Sequence, residues 1–431
     1  MWTWMVVSAL AATRDVGAGQ PYATIGAALA ASGNGDLILV HPGVYDERLV
    51  IDRRVEIRGT GGSGSTLLRS TGPGTTLIRV RSRATISGLT MLPGTKVGAL
   101  ILATASGTSF DDVVMANVVG TSGISVLGPV DVTITNSRFV DNDGTPAVWV
   151  QSAGNVTVTD TSFEGNHSTW PGAGLSAEAA RTLVVERCTF VDNVSDGPAG
   201  ALLAGGIGST SVVVRDSVFD GNRAPRVGGD GGAAYLYATP SIEVSGSTFV
   251  GNSARADGGA VAIVDFAGNQ SYRFHHDLFL GNDAASGGAL SVDNACLGYY
   301  AIPSSDLLFG ANTLVGNSAD RGSAVRLVGC VDATVGNDLF VAHTGTPGPS
   351  LAVWESSAVA THPVFDHDLW WDNDGADTLG VATGANDLFV DPAFVSFSDD
   401  GDYANDDLAL SLASPARDAG HPAVSDPDGS A

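Results

Sequence analysis

The densest set of proton-handling side chains in the chain is His275-His276-Asp277. Neighbouring imidazole and carboxylate groups are the usual parts of a general acid–base relay, so this trio is the first catalytic candidate. Its register argues for a second reading. Asp277 stands two residues before an aromatic anchor, Phe279, as Asp338, Asp368 and Asp387 stand before Phe340, Trp370 and Phe389. His276 stands three before, a place held elsewhere by Asn337, His367 and Asn386. A phrase that recurs in this way reads as a corner of Asx type, and His275 is the one member the corner leaves unexplained. A separate series, Asp196, Asp230, Asp257 and Asp320, falls near successive glycine turns. Stacked carboxylates repel unless a cation separates them, and calcium accepts oxygen ligands in flexible geometry. Asp230 and Asp257 are therefore calcium candidates, and so are Asp399, Asp400 and Asp402 near the C-terminus. The competing reading of both groups is carboxylates splayed into solvent. No cofactor is required on this reading; calcium is the one ion the sequence admits.

The scaffold that positions these groups is a repeat. An apolar anchor followed three residues later by asparagine appears as Phe139/Asn142, Phe163/Asn166, Phe190/Asn193, Phe219/Asn222, Phe249/Asn252, Phe279/Asn282 and Leu314/Asn317. The anchors are 24 to 30 residues apart, apart from one gap of 35 between Phe279 and Leu314. Between them lie short β-branched runs such as Val132-Thr-Ile-Thr135 and Val212-Val-Val-Arg215, with turn residues at every step. This period and composition define an all-β fold, a single-stranded right-handed parallel β-helix whose coils stack at about 4.8 Å. The phenylalanines are expected to stack inside. The asparagines are expected to form a structural ladder along one corner, with the Gly or Asp before each in a left-handed conformation.

A second phrase, Gly172-Ala-Gly174-Leu175, Gly231-Gly-Ala-Ala234, Gly258-Gly-Ala-Val261, Gly287-Gly-Ala-Leu290 and Gly322-Ser-Ala-Val325, runs through the middle coils. With the Phe–Asn phrase it resembles the GGA[ILV] and FxxN repeats of chlamydial polymorphic membrane proteins, over residues 139–345. That resemblance implies a β-helical, surface-displayed passenger with an adhesive role. The N-terminal stretch is similar to the opening of pectin methylesterases and other bacterial right-handed β-helix (pectin-lyase-like) proteins. It comprises Tyr22–Ala31 as a small amphipathic helix, the strand Asp36-Leu-Ile-Leu-Val40, and the turn at His41-Pro-Gly43. A solenoid end exposes apolar core and open edges, and this helix is the candidate cap. Ser414-Pro-Ala-Arg-Asp-Ala-Gly420 resembles a phrase near the close of many bacterial β-helix proteins.

These observations divide the chain into residues 1–12, read as a secretory signal, 13–395 as the β-helix, and 396–431 as an acidic segment beginning a truncated C-terminal cap. The net charge of −25 is uneven: residues 1–100 hold 10 Lys and Arg against 6 Asp and Glu. Such a chain lacks the clustered cations that nucleic acid demands. It has no apolar run long enough for a transmembrane helix. Cys296 and Cys330 follow their anchors by 17 and 16 residues, so they are expected on adjacent coils and are expected to pair as a disulfide, which fits export. Cys188 replaces a serine of the repeat and reads as an inert inward thiol.

The enzyme classes known on this fold leave few traces. A lyase needs a base beside calcium-binding carboxylates, and the single lysine, Lys96, lies outside the repeated coils. A glycosidase needs two carboxylates across one bond, and the polygalacturonase set of motifs is missing apart from pairs such as Asp111-Asp112. The expected function is therefore that of an exported bacterial protein, secreted or at the cell surface and monomeric. It binds a polysaccharide or another cell-surface ligand along one face without catalysis. Tyr235, Tyr237, Tyr299, Tyr300 and Trp149 are candidate ligand-facing aromatics. A polysaccharide lyase or glycoside hydrolase, bordered by the 297–305 insert, and a structural spacer are the alternatives.

Overall fold

The computed structural model describes residues 11–69, 76–93, 100–151, 154–206, 210–266, 268–294, 304–329, 331–345, 352–353, 363–398, 400–417 and 419–421. It is a right-handed parallel β-solenoid of about twelve turns, almost without helix. One coil shows the construction. Strand Val132–Thr135 leads to Arg138–Val140, then the short Asp143–Gly144, then Val148–Gln151. The first two strands of every coil join one wide sheet of 25 strands, here sheet A. The last strand of each coil joins a sheet of 12 strands, sheet B, and the short third strand a sheet of 7, sheet C. All neighbours along the rod pair in parallel, as in Phe139↔Phe163↔Phe190. At ~4.8 Å per strand, sheet B makes the rod roughly 55 Å long.

The coil turns at single residues in the left-handed region. The first corner uses Asn136, Asp160, Arg187, Asp216, His276, Asn337 and His367, with φ between 50° and 65°. The second uses Asp141, Gly165, Asp192, Gly221, Gly251, Gly281 and Gly316, with φ between 50° and 63°. After each corner comes a buried polar side chain. Behind the second corner Asn142, Asn166, Asn193, Asn222, Asn252, Asn282 and Asn317 are all essentially inaccessible. Each amide serves three coils. Asn222 Nδ2 donates to Asn252 Oδ1 and to the Phe190 carbonyl, both at 2.9 Å, and its Oδ1 accepts from the backbone N–H and the side chain of Asn193. Beside this ladder the rings of Phe139, Phe163, Phe190, Phe219, Phe249 and Phe279 stack with centroids 4.6–5.0 Å apart and planes within 9°. That separation matches the strand spacing, so backbone pairing and ring contact reinforce each other.

The doubled glycines have a steric cause. Gly231, Gly258 and Gly287 adopt φ of 65–68°. The glycine after each has no room for a side chain, because a Cβ on Gly232 or Gly259 would strike the carbonyl of Gly259 or Gly288 on the next coil.

At the N-terminus Ile25–Ala31 forms the helix, capped by the Thr24 hydroxyl, which accepts from Ala27 N–H. The Glu47 carboxylate accepts from the first free amides, Ile25 and Gly26, at 2.7 Å. Ile25, Ala28 and Leu29 are buried, and the helix packs on strands Thr13–Val16, Asp36–Val40 and Leu49–Ile51. Toward the C-terminus Phe394–Ser396 and Asp407–Leu410 pair as an antiparallel hairpin, so the 395/396 boundary falls inside its first strand. Phe394, Phe397, Tyr403 and Leu408 pack on the outward side chains Leu280, Val315, Val341 and Ala342. The hairpin therefore lies along the flank of sheet A. The Tyr403 ring rests on Gly281 and Gly316, where a Cβ would collide with it.

Two expectations follow. Asn222→Ala removes four buried hydrogen bonds to neighbouring coils, leaves the buried Asn193 N–H without its acceptor, and should cost about 3 kcal/mol or more, measured by denaturant unfolding. Gly316→Ala should displace the hairpin and expose it to limited proteolysis. Gly251→Ala, at the same corner but with open space around it, should leave the hairpin protected and cost only about 1–2 kcal/mol of left-handed strain.

Candidate functional site

The His-His-Asp trio does not converge. His276 is itself a corner residue with φ 59°, and Asp277 turns inward and is buried. His275 and His276 stay outside, Nδ1 to Nδ1 at 3.0 Å. Burial, then the neighbouring His276, holds the His275 pKa below its ordinary value. Asp277 belongs to an internal ladder behind the first corner, with Ser137, Thr161, Cys188, Ser217, Ser247, Asn312, Asp338 and Asp368. Asp277 accepts from Ser247 N–H, Asn312 from Asp277 N–H, Asp338 from Asn312 N–H and Asp368 from Asp338 N–H, at 2.7–2.9 Å. The second carboxyl oxygens of Asp277, Asp338 and Asp368 are buried without a partner. Burial pushes all three well above the usual carboxylate range, which favours the neutral acid. Cys188 is buried in the same ladder, and burial raises its thiol to about 11.

The acidic series separates as well. Asp196 is paired with Arg226 at 2.6 Å on an exposed edge. Asp320 lines a shallow depression of about 530 Å³ with Asp283, Asp374 and Arg255. Asp400 accepts from Asp402 N–H and Asn405 Nδ2, and Asp402 from Ala404 N–H, so these carboxylates serve a local turn. Asp399, Cys296, Cys330, Tyr299 and Tyr300 lie outside the described residues. Among the described residues no group of three or more His, Cys, Asp or Glu side chains is arranged to hold a metal ion.

Asp230 and Asp257, by contrast, meet other chemistry at the outer face of sheet B. Alternate strand residues point away from the core, and the register aligns one row as Trp149↔Ser176↔Leu203↔Tyr235↔Ala262↔Ser291↔Arg326, of which Trp149, Tyr235 and Arg326 keep some surface while Ser176, Leu203, Ala262 and Ser291 are buried. The row beside it includes Glu178, Tyr237 and Asp293. Trp149 pairs with Trp170 from the adjoining loop, centroids 6.5 Å apart, and Trp170 is 59% exposed. Tyr235 and Tyr237, two apart on one strand, stack at 5.7 Å. Arg326 Nη1 donates to Asp257 Oδ2 and Ser291 Oγ, both at 3.0 Å, and its side chain is only 12% exposed. The Arg326 Nε is buried without a partner. Asp230 accepts from Asp257 N–H at 3.2 Å. Burial, with the Asp257 charge adding to it, raises the Asp230 pKa. Burial also raises that of Asp293, where Arg326 opposes and Asp257 reinforces the shift. Burial and the same two carboxylates, Asp230 and Asp293, lift Tyr235 to about 12. The site is thus a half-buried set of hydrogen-bonding groups beside the Tyr235/Tyr237 pair. Sequence reasoning found Asp230, Asp257, Tyr235, Tyr237 and Trp149 separately but missed Asp293, Ser291, Arg326 and Trp170. The available signal was position: the residue directly after each GGA-type phrase faces outward on sheet B.

The fold and this face define a right-handed parallel β-helix protein. A family model described as "Right handed beta helix region" matches residues 98–279. Among solved structures, the PL6 family alginate lyase AlyGC is similar in fold at 15% identity and a TM-score of 0.52, covering 93% of this chain and 58% of that one. The catalytic unit of a GH87 α-1,3-glucanase from Streptomyces thermodiastaticus matches at 14% identity and a TM-score of 0.46, covering 83% of this chain and 65% of that one. The A-module of the mannuronan C-5 epimerase AlgE6 from Azotobacter vinelandii matches at 13% and 0.42, covering 84% and 91%. This chain thus spans little more than half the length of the alginate lyase. No curated protein matches it in sequence.

The internal acids generate a pH expectation. Their folded pKa values lie above the unfolded value near 4. Their contribution to stability is therefore present in full below that value and is lost as pH rises through the folded values. Stability measured by denaturant unfolding should decline from weakly acidic toward alkaline pH. Asp338→Asn should flatten that decline and stabilise the alkaline form, because Asn312 already fills an equivalent rung, donating to the Phe274 carbonyl.

Proposed function

We propose that this protein is an exported β-helix that holds a glycan on the outer face of sheet B without cleaving it. The observation that carries this reading is the alignment of the Trp149/Trp170 and Tyr235/Tyr237 pairs with the Arg326–Asp257–Ser291 network on one face. Sugar rings present apolar C–H faces that rest on aromatic rings, and hydroxyls that bond planar carboxylate and guanidinium groups. The polysaccharide-acting name of the alginate lyase with the same fold agrees with this reading. Among the described residues no helix is long and apolar enough to cross a membrane.

One observation favours a hydrolase as the second reading. Asp230 and Asp293 have raised pKa values beside Asp257, which is paired with arginine, and glycoside cleavage needs one protonated and one ionised carboxyl group.

Affinity electrophoresis on a panel of neutral and acidic polysaccharides tests both readings. Retention is expected, with a several-fold to about tenfold loss in Trp170→Ala, the worth of one aromatic contact. No retention on any glycan, or full retention by the tryptophan variant, would sink the glycan reading for this face. New reducing ends that disappear in Asp293→Asn would replace binding with hydrolysis.

A further inference from the structure

Resting on the glycan reading, we propose that the ligand is a long chain free of acid groups, lying parallel to the rod axis across sheet B. On this proposal, Glu178, Asp230 and Asp293 turn polyuronates away. Direction follows from the register. Trp149 and Tyr235 lie three pairings apart in one row, with the buried Ser176 and Leu203 between them, whereas a single strand such as Val148–Gln151 has only 4 residues and carries one aromatic pair at most. Length follows from the same row. The strands of Trp149 and Arg326 are separated by six successive pairings, which at ~4.8 Å each place the tryptophan pair and the arginine network roughly 29 Å apart. A disaccharide reaches one end of that span, and only an oligomer reaches both.

Charge decides the class. Between Trp149 and Arg326 the two outward rows contain, among the described residues, one basic side chain, Arg326. Its Nη1 is already committed to Asp257 and Ser291, and the side chain is only 12% exposed. Glu178 and Asp293 stand in the rows, with Asp230 beside them and Asp257 offset by Arg326, and the whole chain carries −25. A polymer with a carboxylate on every sugar would bring a like charge onto this surface at each step along the rod, with no free cation to meet it. Hydroxyls have no such conflict, since both protonated and ionised carboxyl groups bond them. The proposal runs against the alginate-directed name of the protein of similar fold.

Titration calorimetry on the full chain tests it, using gluco-, manno-, xylo- and N-acetylglucosamine oligomers from dimer to octamer, and oligogalacturonates and oligomannuronates of the same lengths. At least one acid-free series should gain about tenfold or more in affinity from dimer to hexamer before levelling. The uronates should bind about a hundredfold more weakly than that series, or not at all. Asp293→Asn combined with Glu178→Gln should raise uronate affinity, with circular dichroism confirming that the coil is intact. Affinity that stops growing at the dimer, or uronates bound as tightly as the acid-free oligomers, would overturn this inference and leave the glycan reading standing. No binding by any oligomer of either kind would overturn both.

Discussion

Everything in this molecule depends on turning a parallel coil through sharp corners without stranding buried backbone groups. Each corner is a single left-handed residue, and in the regular coils an inward side chain follows it that accepts from a backbone amide of the coil before. The asparagine ladder does this most completely: one amide donates forward to the next asparagine and back to a phenylalanine carbonyl, and accepts two hydrogen bonds from the coil before. Because the partner is always on another coil, no rung is satisfied alone. The stacked phenylalanines share this logic, each ring being the packing surface for the next.

The constraint leaves the interior little freedom and the exterior a great deal. Behind the first corner the rung can be Ser, Thr, Cys, Asn or Asp, provided it is small and bonds the preceding amide. Toward the C-terminal coils acids take over, and burial raises their pKa values. His343 similarly takes an asparagine place in the second ladder, accepting from Asn317 N–H at 3.1 Å, and burial drives its pKa down to about 3. Outward positions answer to no such rule. On sheet A they are mostly small, charged or β-branched, except where the C-terminal hairpin lies across them. On sheet B they bring together tryptophan, tyrosine, arginine and carboxylates.

This difference explains what could be read in advance. The solenoid, its corners and the inward direction of Phe and Asn were legible because each recurs, and recurrence at one period has few structural causes. The corner reading of His276 and Asp277 was legible for the same reason, through Asn337-Asp338 and His367-Asp368. The flank position of the C-terminal hairpin was not, since the hairpin is a single event. Its socket shows in the sequence only as glycine at 281 and 316, where Gly165 and Gly221 look the same and have other neighbours.

The site divides along the same line. Local sequence by itself determined which residues face outward, because strand alternation and the glycine phrase set direction within a coil. It determined the acidic character of the chain, and hence the poor prospects of a polyanionic partner. Which outward residues meet was decided only by the stacking of coils. Asp257 and Arg326 are 69 residues apart yet bonded, and Asp293 lies two coils from Tyr235 yet helps to raise its pKa. Repeat lengths from 24 to 35 residues make that alignment a sum over irregular loops. It is settled by hydrogen-bond register between coils rather than by any spacing along the chain.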